Sequence, residues 1–298
     1  MQTGNEAPRR TEEPRRTEEP RRTEEPRRTE EPRRTEEPRR TEEAAQTSEA
    51  PGDGLGGDGL EDYSGEFRTD FRYEDLSHHA LVRLVREYAQ AVHILDRSMC
   101  AAIGMSHGME EMERLAIEEW RGASPVYGQR LRRIMGVEGD DVEAIFKVLQ
   151  LDPGFPHHYL DVRYEVVDDK HGYFELAYCG ALMDAEPWGD KMVTGMCHHI
   201  EDGTFDVTAQ AINPKAHIRH VHRPPRVPTD RSPHCRWELV IDEDNETLPE
   251  ADITTVTKMT TAATFEFPPM RDGSRHIPER PASERAARPP TGPEASGS

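Results

Sequence analysis

Tyr159-Leu160-Asp161-Val162-Arg163-Tyr164-Glu165-Val166-Val167-Asp168-Asp169-Lys170-His171-Gly172-Tyr173-Phe174-Glu175-Leu176-Ala177-Tyr178-Cys179 is the stretch in which the chain changes period. From Tyr159 onward Val162, Tyr164 and Val166 alternate with Asp161, Arg163 and Glu165, the two-residue repeat of a half-buried strand. Asp168 to Gly172 supplies turn residues, and Tyr173 to Cys179 reads as the returning strand of a hairpin.

Before this stretch the repeat is helical. Ser77 is an N-cap, and Leu81, Leu84, Val85, Tyr88, Val92 and Leu95 follow at steps of three and four, a stripe expected to face the core. A second helix is expected over 108–121, carrying Met109, Met112, Leu115, Ala116 and Trp120. A third starts at Ser124-Pro125 and stops at Gly136. A fourth opens at Asp140-Asp141, buries Val142, Ile145, Phe146 and Leu149, and is closed by Pro153 and Pro156.

After the hairpin, a Glu186-Pro187-Trp188-Gly189 loop leads to two short helical stretches, about 190–200 and 203–212, the second ended by Pro214. His217–His222 alternates as a third strand, Pro224-Pro225 breaks it, and Cys235–Ile241 is a fourth. The expectation is an α+β fold: an N-terminal helical part, then an antiparallel β-β-α-β-β unit.

That fold occupies part of the 298 residues. Residues 8–43 are six tandem copies of Pro-Arg-Arg-Thr-Glu-Glu without a large apolar side chain, and such a segment cannot offset its own ordering entropy. The reading gives a disordered 1–62, one globular domain over 63–250, and a mostly disordered Pro/Arg-rich tail over 251–298. Each repeat is neutral, so the net charge of −20 belongs to the rest of the chain. That charge argues against nucleic-acid binding, which needs clustered Lys and Arg. No basic-then-apolar leader and no apolar run near the ~20 residues of a membrane span is present, so a cytoplasmic protein without membrane contact is expected. Nothing in the repeats identifies a partner.

Three of four cysteines and six of fourteen histidines fall between Cys179 and Cys235. Cys197 shares a helical stripe with Val193 and Ile200. Cys235 lies on the strand face of Trp237, Leu239 and Ile241, and Cys179 ends the second strand. His220 and His222, two apart on one strand, are expected to share a face. Cys179, Cys197 and Cys235 with His220 or His222 thus form a candidate site for a divalent transition metal, zinc or iron. Three buried, inert cysteines would give the same pattern. Cys197, accessible beside Gly195 and His198, is the candidate nucleophile if no metal binds. Glu186 is a candidate base in a loop that could raise its pKa. Arg226 is a candidate carboxylate anchor on the stiff Pro224-Pro225 segment, and Trp188 and Trp237 are candidate pocket walls.

Cys179, Gly195-Met196-Cys197, Ile212-Asn213-Pro214, Pro224-Pro225 and His234-Cys235-Arg236-Trp237, with Gly108-Met109-Glu110 before a helix ending in Trp120, together resemble a bacterial family. Its members are described as similar to L-2-amino-thiazoline-4-carboxylic acid hydrolase, many of them of unknown function. The likeness spans roughly 76–245. It implies a four-vinyl-reductase-type small-molecule-binding domain and hydrolytic opening of a small ring containing sulfur and nitrogen. Relatives with a further cysteine near the Pro-Pro segment differ from this chain, which has none there and leaves His220 or His222 in its place. Two functions follow as expectations. One is a metal-assisted or cysteine-dependent hydrolase of a small C–N or C=N bonded substrate. The other is a non-catalytic small-molecule or metal-sensing module.

Overall fold

The computed structural model describes residues 59–277. The Pro-Arg-Arg-Thr-Glu-Glu repeats and the tail from 278 lie outside the described residues. Among the described residues, α1 (His78–His107), α2 (Met109–Ile134) and α3 (Val142–Leu151) precede the hairpin β1 (Val162–Asp168) and β2 (His171–Leu176). Then come α4 (Gly180–Ala185), α5 (Asp190–Thr194), a π-helical turn (Gly195–Ile200) and α6 (Glu201–Gln210). Strands β3 (Ala216–His222) and β4 (Cys235–Ile241) follow, and short helices α7 (Asp252–Lys258) and α8 (Thr261–Thr264) close the order. The four strands form one antiparallel sheet in the order β1-β2-β4-β3, so the fold is α+β.

The sheet has one buried face and one polar face, as its alternation requires. Gly172, Phe174 and Leu176 of β2 and Cys235, Trp237, Leu239 and Ile241 of β4 point into the core. On the other face Arg236 bonds Glu175 at 2.9 Å and Glu165 at 2.6 Å, and lies over the Tyr173 ring. Helix α3 buries Val142, Ile145, Phe146 and Leu149 in the same core, and Asp141 caps it by accepting from the Ala144 N–H. Full burial of side chains such as Phe174 and Leu239 contributes roughly 1.5–3 kcal/mol each.

Four expectations are corrected. The stripe Leu81, Leu84, Val85, Tyr88, Val92 and Leu95 does not face the core. Helix α1 buries Ala80, His93 and Asp96, while Val85, Tyr88 and Leu95 are 63%, 50% and 70% exposed. The second and third helices are one helix that passes through Pro125. Proline has no N–H for the Arg121 carbonyl, but the Thr254 hydroxyl donates to that oxygen at 2.8 Å. Thr254 belongs to α7, so the tail as read holds two short helices, Asp252–Lys258 and Thr261–Thr264, the first partly packed: Thr254 is buried and Ile253 lies against Gly122. The two stretches at 190–200 and 203–212 are likewise joined through the π-helical turn.

Candidate functional site

The π-helical turn carries Cys197 to a buried position facing Cys179 and Cys235 across a small cavity. This enclosed cavity of about 20 Å³ is lined by Cys179, Cys197, Cys235, Glu201, His234 and Trp237, with Leu176, Leu182, Met196, Phe205 and Pro224 as its apolar walls. Three elements deliver the sulfurs. Cys179 is the N-cap of α4, its sulfur accepting from the Leu182 N–H at 3.3 Å. Cys197 sits in the π-helical turn, a feature common at functional sites, and Cys235 opens β4. All three are free thiols and buried.

Burial pushes the Cys179 thiol up to about 12. Cys197 is raised further by burial, then by Glu201 and by the other two cysteines, and Cys235 by burial and Cys179. The thiols therefore stay protonated near neutral pH. The expected nucleophile Cys197 lacks the electropositive, accessible setting that makes a thiolate. It faces a carboxyl instead.

Glu201 is the residue that the sequence reading missed. Burial, the largest effect, lifts its carboxyl to about 7, against which Arg97 and Arg223 pull it down. Its signal was present: Cys197, Glu201 and Phe205 recur at steps of four, the inward face of one helical segment.

The other expected residues are placed differently. Glu186 and Arg226 hold each other through two bonds of 2.7 Å, Arg226 Nε to Oε1 and Nη2 to Oε2. This clamp lowers the Glu186 pKa, the reverse of the raised value expected for a base, and leaves the Arg226 fork occupied. Trp188 is 76% exposed and does not line this cavity, whereas Trp237 is buried and does. His220 is exposed, its ring edge-on to Trp237 at 6.1 Å. The register shifts between His220 and His222, and the extra residue breaks the alternation that was to put both on one face. His222 donates from Nε2 to the Pro233 carbonyl at 3.1 Å. Among the described residues no three His, Cys, Asp or Glu side chains are grouped so as to hold a metal ion.

His234 joins the clamp to the cavity. Its Nδ1 accepts the Cys179 backbone N–H at 3.1 Å, so the neutral ring carries its proton on Nε2. That nitrogen faces Nη1 of Arg226 at 3.3 Å, donor against donor. Burial and then the Arg226 charge depress the His234 pKa, and the ring stays neutral. His93, buried on α1, bonds the Gly154 carbonyl through Nε2 at 3.1 Å and packs on Tyr159.

No helix among the described residues is long and apolar enough to cross a membrane. Comparison of the chain with known protein families, with curated proteins and with solved structures returned no match.

Proposed function

We propose that the chain is a hydrolase for a small substrate with a C–N or C=N bond, working in the three-thiol cavity with Glu201 as general base. The observation that carries this reading is Glu201. A carboxyl with a pKa of about 7, enclosed beside protonated thiols, can accept and return a proton near neutral pH. A volume of about 20 Å³ admits one water molecule. As a C–O bond forms between that water and an amidine-type carbon, the C=N π pair moves onto nitrogen, and a proton of the water passes through Glu201 to that nitrogen. The C–S or C–N bond then breaks as the new hydroxyl becomes a carbonyl, its proton passing through Glu201 to the departing sulfur or nitrogen, so that one water is added overall. The neutral S–H groups of Cys197 and Cys235 are soft, polarizable neighbours for a ring sulfur. Trp237 and Phe205 form the apolar wall behind it. The cavity walls at Met196 and Pro224 must part to admit a ring.

Closure of the cavity favours a second reading, a binding module without turnover. One experiment separates the two. The full chain is incubated with 2-amino-thiazoline-4-carboxylate and simple amidines, products are read by mass spectrometry, and binding is read by calorimetry. A water-added product made by the wild type and lost in Glu201→Gln supports the hydrolase. Binding without product supports the module, and neither product nor binding contradicts both.

A further inference from the structure

We infer that the outward face of α1 is the interface of a homodimer in which two α1 helices pair antiparallel. Leu81, Val85, Tyr88, Val92, Leu95 and Met99 recur at steps of four, three, four, three and four, the 3.5-residue repeat of a coiled-coil seam. Within its own chain the stripe is covered only in part: Leu81 and Val92 are half-buried, and the Tyr88 ring lies edge-on to Tyr73 with the two hydroxyls 2.8 Å apart. The fully buried contacts of α1 are made from another side of the helix, through His93 and Asp96. Leu95 is 70%, Val85 63% and Tyr88 50% exposed, so the seam leaves a row of large apolar groups in water along a helix of 30 residues. Such a row marks an interaction surface.

The segments outside the described residues are ill suited to cover the rest of it. Residues 1–58 contain only Met1 and Leu55 as large apolar side chains, and residues 278–298 contain none. The occupant must bring its own apolar stripe, and a second copy does. In an antiparallel pair each a position meets a d position of the partner. With the two-fold axis at Gln90, Leu81 meets Met99, Val85 meets Leu95, and Tyr88 meets Val92, each pair occurring twice. All six large side chains are matched and none faces a small or charged residue. The flanking positions Leu84, Ala91 and Ser98 on one side and Ala89 and Ile103 on the other are uncharged. Of the other flanking residues, Val82 is uncharged and Asp96 is buried and paired with Arg97 at 2.9 Å. No exposed charge at these positions selects an unlike partner or repels a like one.

The test uses the full chain in light scattering coupled to size exclusion, at about 100 µM, where an interface with a Kd near 1 µM is filled. The wild type is expected at twice the chain mass. Leu95→Asp is expected at the chain mass, with an unchanged far-UV circular dichroism spectrum, since Leu95 supports no contact within its own domain core. A wild type at the chain mass overturns the inference and leaves the stripe to a foreign partner. A Leu95→Asp variant that remains at twice the mass overturns it as well. Orientation is read by oxidising a mixture of Val85→Cys and Leu95→Cys chains. Cross-linking between the two variants is expected, and cross-linking of Val85→Cys only to itself overturns the antiparallel arrangement.

Discussion

The Thr254 hydroxyl donates at 2.8 Å to the Arg121 carbonyl, the oxygen that Pro125 leaves without its helical partner. A proline in a helix interior costs roughly 3 kcal/mol or more, in part through that lost hydrogen bond. Here a residue 133 positions along the chain supplies the donor. Thr254→Val should therefore destabilise the fold by about 1–3 kcal/mol, because it leaves the half-buried Arg121 carbonyl without this donor. Adding Pro125→Ala restores an N–H to Arg121 and should recover much of that loss. Urea denaturation of the two single variants and the double variant measures the coupling. Strictly additive effects would show that Thr254 acts through packing alone.

Thiol chemistry separates a reactive cysteine from buried ones. Cys179, Cys197 and Cys235 are buried with raised pKa values, and Cys100, half-buried beside Asp96, is pushed up to about 12, chiefly by burial. The native chain at pH 8 should react slowly at all four thiols with a disulfide reagent, and all four should titrate at once in urea. A fast native reaction mapped to Cys197 would reinstate it as a nucleophile.

Stability should depend on pH through Glu201. Its folded pKa of about 7 lies above the ordinary 4.5, so the folded state holds the proton more tightly. That contribution is complete below pH 4.5 and is lost as pH rises through 7. Buried neutral histidines such as His234 act in the opposite sense at the acid end, so the comparison is made against Glu201→Gln, which mimics the protonated carboxyl. Wild type and variant should be close in stability at pH 5. At pH 8 the variant should be the more stable by about 2 kcal/mol, read from urea midpoints. Equal stabilities at pH 8 would mean that Glu201 is freely solvated.

The clamp predicts a histidine titration. Arg226→Met removes the cation facing His234 Nε2, and Glu186, left unpaired, then favours the imidazolium. The His234 pKa should rise, followed by the Cε1–H proton signal against pH, and the variant should be less stable because the Glu186 carboxylate has lost its bidentate partner. An unmoved titration would show that burial alone sets the His234 state.

The sheet was legible because each strand obeys a period of two against a single core: Phe174, Trp237 and Leu239 are buried where alternation put them. The convergence of Cys179, Cys197 and Cys235 on one cavity was legible in part, since Cys197 and Cys235 lay on faces assigned inward while Cys179 was placed only at the end of the second strand. Three features were hidden by non-local partners. The continuity of α2 depends on Thr254, far along the chain. The roles of Glu186 and Arg226 depend on a pairing 40 residues apart that consumes both. The stripe of α1 was read correctly as apolar and wrongly as inward, because periodicity reports that a face is to be covered and not by what. The bulge between His220 and His222 left no mark in residue type at all.

The proposed hydrolysis depends on the Glu201 carboxyl exchanging its proton near neutral pH beside the three thiols. Carbon-detected NMR of the full chain labelled at glutamate carboxyls, with the Glu201 signal assigned by its loss in Glu201→Gln, measures that directly. The predicted titration midpoint for Glu201 is about 7. A midpoint near the ordinary 4.5 would contradict the account, for the proposed base would then be an ordinary solvated acid.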